Sequence, residues 1–189
     1  MTQFSPAFLS GGAVNTWFFK LTGVHLTVYT ITDWLELVPI CICGSFGIVG
    51  LRQLIKRKSI FKVDADIILL GIYYVVVIFA YLLFEMIPIN YRPILINGFM
   101  EASYPSSTTL LVLSVMPSLK FQMARRSGNA ALRNTVNRFA TAFSAFMIIG
   151  RLFSGVHWCT DIIGSVLLSK GLFKLYQFSV GFAEQRKSD

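Results

Sequence analysis

The sequence predicts an all-α protein, a polytopic membrane helical bundle of about five transmembrane helices preceded by an N-terminal interfacial or re-entrant segment. Apolar residues make up 54% of the 189 residues and charged residues only 14%, a composition unlike that of a soluble domain. The apolar residues form runs close to the roughly 20 residues that a helix needs to cross the hydrocarbon core. Basic residues are concentrated between these runs, as in the connecting loops of membrane proteins.

The first 32 residues are predicted to form the interfacial or re-entrant segment. Residues 8–31 are apolar enough to contact lipid, but they include Asn15, Lys20 and His25. Polar residues at this density favour a helix that lies at the membrane surface over one that crosses it. A sixth span is the alternative. Residues 1–12 lack the basic start and the compact apolar run of a signal peptide, so insertion is expected to depend on the spans themselves.

Five spans are predicted after this segment, each bounded by charged residues, Pro or Gly. They cover residues 34–53, 66–87, 105–121, 138–153 and 158–180. The second is the clearest, because its apolar run is continuous, and the third is shorter than a span usually is. We find no internal repeat and no linker that would divide the chain. Residues 1–189 are therefore expected to be one domain, with the bundle at 33–181 and a short polar tail at 182–189.

The basic clusters predict the orientation of the bundle. The positively charged residues after the first and third spans are Arg52, Lys56, Arg57, Lys58, Lys62, Lys120, Arg125, Arg126 and Arg133. Loops rich in Lys and Arg remain in the cytoplasm. The N-terminal segment, the loop at 90–104 and the turn at 151–158 are then extracytoplasmic. The net charge of +8 follows from these topology signals, and nucleic acid is not an expected partner.

Three polar segments are predicted to meet at the extracytoplasmic face. Arg92 follows the second span and Arg151 ends the fourth, and a guanidinium group offers a fork of donors to phosphoryl oxygens. Because a helix start has free N–H groups, the beginning of the third span also suits an anion. Its candidate binding residues are Tyr104, Ser106, Ser107 and Thr108, with Pro105 among them.

The third segment contains His157 and Asp161, four residues apart at the start of a helix. This spacing places both side chains on one helix face, where the carboxylate can fix the imidazole tautomer. An oriented imidazole can act as a nucleophile or as a base. Ionisable residues this close to lipid are costly to keep, so we interpret Arg151, His157 and Asp161 as functional residues.

The order Arg-Pro, then Pro-Ser-x-x at a helix start, then Arg-x5-His-x3-Asp resembles the three signature motifs of the type 2 phosphatidic acid phosphatase family. The resemblance covers residues 85–161, and its third motif is the most specific, with Arg151, His157 and Asp161 in register and Gly155 shortly before the histidine. It implies a metal-independent phosphatase without a cofactor, acting on lipid phosphate esters or diphosphates at the membrane.

The resemblance also implies a role for each matching residue. His157 resembles the nucleophile that forms a phosphohistidine, and Asp161 the residue that orients it. Arg92 and Arg151 resemble the phosphate clamp, and Ser106 contributes to the oxyanion cradle.

Two positions depart from the family pattern. Glu85 stands where the first motif has a lysine, and Thr108 stands where the second motif has a histidine that protonates the leaving group. A threonine is no general acid near neutral pH, and losing such a group typically costs about 10²- to 10⁴-fold in rate. A phosphate leaving group needs little protonation, so we hypothesise that the substrate is a lipid diphosphate, such as a polyprenyl diphosphate.

Several alternatives remain open at the level of sequence. Glu85 is also a candidate substrate-binding residue, and it could pair with Arg92 or Arg151, could tune the charge of a remodelled site, or could lie unpaired at the surface. The chain could be a catalytically impaired relative that binds or transports a lipid phosphate or serves as an accessory subunit. It could also be a phosphotransferase that passes the phosphoryl group from His157 to an acceptor other than water. The oligomeric state is not predicted.

Overall fold

A computed structural model describes residues 12–96 and 98–188, and seven α-helices account for most of them. The helices are α1 (Gly12–Thr22), α2 (Leu26–Trp34), α3 (Leu37–Arg57), α4 (Ala65–Met86), α5 (Ser107–Arg126), α6 (Ala130–Phe153) and α7 (Cys159–Ser188). One 3₁₀ turn, Ile60–Lys62, connects α3 to α4. The all-α prediction is confirmed.

Helices α3 to α7 occupy the five predicted spans, with differences at their ends. Helix α4 lies within a residue of the prediction at each end, whereas α6 begins at Ala130 and not at 138. Helix α6 begins earlier because it has an N-cap, which hydropathy does not reveal. The Asn129 side chain accepts a hydrogen bond from the Leu132 N–H at 3.1 Å. Helix α7 continues to Ser188, through most of the expected polar tail.

Two stretches of the described chain, Leu26–Arg57 and Ala65–Met86, are long and apolar enough to cross a membrane. The first joins α2 and α3. Large side chains such as Ile72, Val75 and Phe79 face outward from α4, and such a surface suits lipid better than water. Helices α5, α6 and α7 have at least 20 residues each, enough for about 30 Å. The number of spans stays a prediction.

Helix α5 lies at the centre of the bundle and packs against α3, α4, α6 and α7. Its buried face and the facing side of α7 are lined by small hydroxyl side chains, which let helices approach closely and hydrogen-bond to one another, as in membrane bundles. These buried residues are Thr109, Ser114, Ser118, Ser165 and Ser169. Two tyrosines of α4 add to the contact, since the Tyr73 hydroxyl donates to the Ser114 carbonyl at 3.1 Å and the Tyr74 hydroxyl bonds Ser118 Oγ at 2.8 Å.

An ion-pair network holds together the bundle end that carries the basic clusters. Arg126 pairs with Asp66 at 2.8 Å and with Asp64 at 3.2 Å. Arg57 also pairs with Asp64, at 2.7 Å, and Arg125 pairs with Glu184. These contacts tie α5 to the start of α4 and to α7. The candidate site lies at the opposite end of the bundle.

The predicted N-terminal segment forms two short helices that pack over the candidate-site end. Its residues 1–11 lie outside the described part of the chain. Helices α1 and α2 have 11 and 9 residues, and neither alone reaches the roughly 20 residues of a span. The Asn15 side chain docks α1 on the start of α7, since its Nδ2 donates to Thr160 Oγ1 at 2.9 Å and its Oδ1 accepts from the Thr160 N–H at 3.2 Å.

The turn between α1 and α2 also packs directly on the loop that carries His157. Gly155 has φ +67, and a Cβ there would lie 2.0 Å from the Gly23 carbonyl oxygen. Only glycine accommodates both this backbone conformation and this close approach. The N-terminal segment is therefore fixed against the candidate site.

Candidate active site

The loop between α4 and α5 folds back on itself and lies against the α6–α7 loop. Its first half carries Arg92 and its second half carries Ser103. Isolated antiparallel bridges join Tyr91 to Ala102 and Ile96 to Phe99. The Arg92 N–H donates to the Glu101 carbonyl at 3.1 Å, and the Ser103 N–H donates to the Asn90 carbonyl at 2.9 Å. We call residues 90–96 and 98–103 the site hairpin.

His157 lies in the loop between α6 and α7, buried against the site hairpin. Its Nδ1 is 3.1 Å from the Ser103 carbonyl oxygen, which can only accept, so Nδ1 carries the proton and Nε2 keeps its lone pair. Burial lowers the pKa of the imidazole, the positive charges of Arg92 and Arg151 lower it further, and Asp161 opposes the shift. The ring is therefore neutral at neutral pH, the form in which Nε2 is a nucleophile.

Asp161 lies beside the imidazole but contacts it less closely than the sequence predicted. Its Oδ2 is 3.8 Å from His157 Nδ1, beyond hydrogen-bond distance. The same oxygen accepts from the Trp158 N–H at 2.9 Å, and Oδ1 accepts from Asn90 Nδ2 at 3.3 Å. Asp161 thus caps the free Trp158 N–H at the start of α7 and ties this helix to the site hairpin. The Ser103 carbonyl provides the direct hydrogen bond to the imidazole.

Arg151 is the largest fully buried side chain of the described chain, with 2% of its surface exposed. A buried guanidinium needs anionic partners, and here they come from the end of α2 and the turn that follows it. Its Nη2 donates to Asp33 Oδ1 and to Glu36 Oε1, each at 2.9 Å, and also to Thr108 Oγ1. Arg151 therefore connects α6 to the N-terminal segment and to the start of α5.

Arg92 and Arg151 converge on Tyr29 of α2. The guanidinium carbon is 5.7 Å from the centre of the Tyr29 ring for Arg92 and 4.8 Å for Arg151, the range of cation–π contacts. Arg92 also pairs with Glu101 at 3.1 Å. Arg92 lies on the site hairpin whose Ser103 carbonyl bonds His157, and both arginines contact Tyr29, so the two arginines and the histidine share one region of the fold.

Helix α5 begins at this same region. Ser106 occupies the N-cap position, but its hydroxyl bonds Thr109 Oγ1 at 3.1 Å, and its carbonyl accepts from Ser165 Oγ at 2.9 Å. Thr108 is buried and makes the closest contact with the arginines, because its Oγ1 accepts from Arg151 and donates to Glu36 Oε1. Ser107, the first residue of the helix, is half-buried.

Two of the predicted binding residues lie away from the arginines. The Tyr104 ring packs edge-on against Phe84 at 5.6 Å and covers Gly164, where a Cβ would lie 2.3 Å from it. Tyr104 therefore joins α4 to α7. Glu85 is exposed near the end of α4, and the carboxylates paired with Arg92 and Arg151 come from Glu101, Asp33 and Glu36. Of the roles considered for Glu85, the ion pair with an arginine is not formed.

Sequence reasoning missed three residues of the site, Tyr29, Asp33 and Glu36. In sequence, Asp33 and Glu36 have the character of an ordinary acidic cap at the outer end of the first predicted span. A signal was nevertheless available, since they lie three residues apart at the same predicted membrane face as two arginines. Charges that share a membrane face are expected to pair.

Part of the donor capacity of the arginines is unused. Within the described part of the chain, buried atoms without a hydrogen-bond partner include Arg92 Nε, Arg151 Nε and Nη1, and Ser103 Oγ. Unpartnered buried donors are costly in a finished core, but they fit a tetrahedral oxyanion, which accepts several charge-assisted hydrogen bonds. A nucleophilic imidazole beside such donors can support phosphoryl transfer.

Comparison by sequence gives no match, neither to a protein-family model nor to a curated protein. Comparison by structure does. The chain is similar to the crystal structure of a transmembrane PAP2 type phosphatidylglycerolphosphate phosphatase from Bacillus subtilis, with a TM-score of 0.56 and 18% sequence identity over 92% of this chain and 94% of that one. The similarity extends over nearly the whole of both molecules, so the chain shares the fold of that transmembrane phosphatase.

Proposed function

We propose that this chain is a multi-pass membrane lipid phosphatase that acts through a phosphohistidine at residue 157. The observation that carries the proposal is the convergence of a neutral, oriented imidazole with two arginines that retain unpartnered donors. The fold shared with a transmembrane phosphatase supports it. A protein that only bound lipid phosphate would need the arginines but not an imidazole with a fixed tautomer.

The proposed reaction proceeds by in-line displacement. Nε2 of His157 attacks the terminal phosphorus while the bond to the leaving oxygen breaks and its electron pair stays on that oxygen. Arg92 and Arg151 neutralise the charge that spreads over the phosphoryl oxygens, together with N–H groups at the start of α5. Water then hydrolyses the phosphohistidine. None of the residues assigned a role needs a metal or a cofactor.

We propose that the membrane orientation places the site at the extracytoplasmic face of the cell membrane. The site and the basic clusters lie at opposite ends of the bundle, since Arg57, Arg125 and Arg126 join the ion-pair network at the far end. Loops rich in Lys and Arg remain in the cytoplasm. A phosphate headgroup in the outer leaflet would then lie on the same side of the membrane as the arginines.

A polyprenyl diphosphate is the substrate that we propose. Thr108, at the position of the family's acidic histidine, donates a hydrogen bond to Glu36 in a charged cluster and is no acid near neutral pH. A diphosphate avoids the difficulty, since its leaving group is a phosphate monoester that departs as a stable anion. Lipid monophosphates have an alkoxide leaving group that requires a proton.

The substrate assignment predicts a ranking of lipids. Purified protein in detergent should release phosphate from a polyprenyl diphosphate faster than from phosphatidic acid or phosphatidylglycerolphosphate, by about 10²-fold or more, the usual effect of a missing general acid. The measurement is initial phosphate release at matched mole fractions in mixed micelles. The opposite ranking would overturn the choice of substrate while leaving a lipid phosphatase in place.

The same assay separates the two rival functions. A phosphotransferase would consume the lipid but release little inorganic phosphate until an acceptor alcohol is supplied. The replacement of a lysine by Glu85 and of a histidine by Thr108 favours a non-enzymatic lipid-phosphate binder. Such a protein would bind the lipids without consuming any of them.

A further inference from the structure

Glu36, in the turn between α2 and α3, brings a carboxylate to the start of α5. Its Oε1 accepts from Arg151 Nη2 at 2.9 Å and from the Thr108 hydroxyl. The side chain is 25% exposed, whereas that of Asp33, which also pairs with Arg151, is 53% exposed. Of these two acidic residues, Glu36 is the one that touches Thr108 and is shielded within the site.

The proposed reaction contains one step for which the residues assigned so far provide no proton acceptor. Hydrolysis of the phosphohistidine requires a group that removes a proton from the attacking water. The Thr108 hydroxyl cannot do so near neutral pH, and it already donates to Glu36. His157 is itself the group being released. Glu36 carries the carboxylate that contacts Thr108.

We propose that Glu36 is the general base for hydrolysis of the phosphohistidine, an inference that rests on the proposed function. The Glu36 carboxylate takes a proton from water as the water oxygen bonds to phosphorus. The bond between phosphorus and His157 Nε2 breaks, and its electron pair returns to the nitrogen. The products are inorganic phosphate, a neutral imidazole that keeps its Nδ1 proton, and a protonated Glu36 that loses its proton to solvent.

The placement of Glu36 suits in-line chemistry. Nucleophile and leaving group lie on opposite sides of phosphorus, so the base for the second step belongs away from the imidazole. Glu36 reaches the site from the α2–α3 turn and contacts Thr108, while His157 enters from the α6–α7 loop and contacts Ser103. Arg151 connects the two, because its Nη2 bonds Glu36 and it lies in the last turn of α6, just before the loop that carries His157.

The inference agrees with a diphosphate substrate. In the first step a phosphate leaving group needs no general acid, so an ionised Glu36 does not slow the attack of His157. In the second step the same ionised carboxylate is required. Glu36 pairs with Arg151 through Nη2 at 2.9 Å, so the free Nε and Nη1 donors of that arginine stay available to the phosphoryl group.

The test is to trap the phosphoenzyme in a Glu36→Gln variant, which keeps the size of the side chain and one acceptor oxygen but cannot take a proton from water. With polyprenyl diphosphate labelled in its terminal phosphate, we expect a burst of polyprenyl monophosphate close to one per protein. Turnover after the burst should be about 10²- to 10³-fold slower than in the parent. Alkali-stable, acid-labile label should accumulate on the protein.

Two comparisons separate this outcome from damage to the site. Asp33→Asn removes the other carboxylate from the same nitrogen of Arg151, and it should not raise the phosphoenzyme fraction whatever it does to the rate. His157→Ala combined with Glu36→Gln should take up no label. The inference is overturned if Glu36→Gln turns over at the parental rate, or if it loses the burst together with turnover. If the parent itself releases no phosphate from any lipid, the proposed function fails first.

Discussion

His157→Ala is expected to lower phosphate release from lipid diphosphate by at least about 10³-fold, because it removes the atom that bonds to phosphorus. Both half-reactions pass through Nε2, and the fold offers no neighbouring imidazole to replace it: the chain has two histidines, and the other, His25, is exposed at the start of α2. The measurement is phosphate release at saturating lipid in detergent, followed by lipid binding to the same preparation.

His25→Ala is the matched control. The exposed His25 ring hydrogen-bonds the Thr22 carbonyl at the end of α1, at 2.9 Å from Nε2, so its loss should leave the rate close to that of the parent. His157→Ala should still bind the lipid, since the arginines are retained. A His157→Ala protein that turns over within tenfold of the parent would exclude the phosphohistidine mechanism.

Arg151→Lys is expected to lower kcat/KM by about 10²- to 10³-fold, because the loss of one preorganised oxyanion donor usually has an effect of this size. The guanidinium binds three partners through Nη2 and keeps Nε and Nη1 for a phosphoryl group. An ammonium group lacks the planar fork of five donors, so it cannot place donors on the acidic pair and on the phosphate in the geometry that the guanidinium provides. Lysine is preferred to alanine because it leaves Asp33 and Glu36 with a positive partner.

Arg125→Lys serves as the control for a lost guanidinium elsewhere in the bundle. Arg125 pairs with Glu184 and Asp66 at the far end, and its replacement should not change the rate. Arg92→Lys provides a second probe in case Arg151→Lys fails to fold, because Arg92 lies on the site hairpin and not in a helix. Parental kcat/KM in both site variants would mean that the arginines do not bind the reacting phosphate.

The helices could be predicted from the sequence where hydrophobicity alone defines them. The continuous apolar run of α4 predicted its ends within a residue. The start of α6 could not be predicted in this way, because Ala130 to Asn137 are mostly polar or small and the helix is defined there by the Asn129 cap. The end of α7 was likewise placed too early, since Glu184 pairs with Arg125 across the bundle and no hydropathy pattern records such a partner.

The candidate site could be predicted only to the extent that its residues form local motifs. Arg92, Thr108, Arg151 and His157 come from three such motifs, and the structure brings them together. The Ser103 carbonyl that orients the imidazole is a backbone atom, so no side-chain pattern reveals it.

Glu36 was missed for a different reason. Its partners Thr108 and Arg151 are distant in sequence, and its polar neighbourhood at the end of a span suggested an interfacial cap. Only the packing of the N-terminal segment against the α6–α7 loop, through Gly23 and Gly155, places it at the site.

The most direct measurement of the central claim is an experimental structure of the protein with bound orthovanadate, an analogue of the pentacoordinate phosphorus of an in-line displacement. We expect vanadium within bonding distance of His157 Nε2, with its equatorial oxygens accepting hydrogen bonds from the guanidinium groups of Arg92 and Arg151. Vanadate bound elsewhere, or at this place without contact to His157, would contradict it.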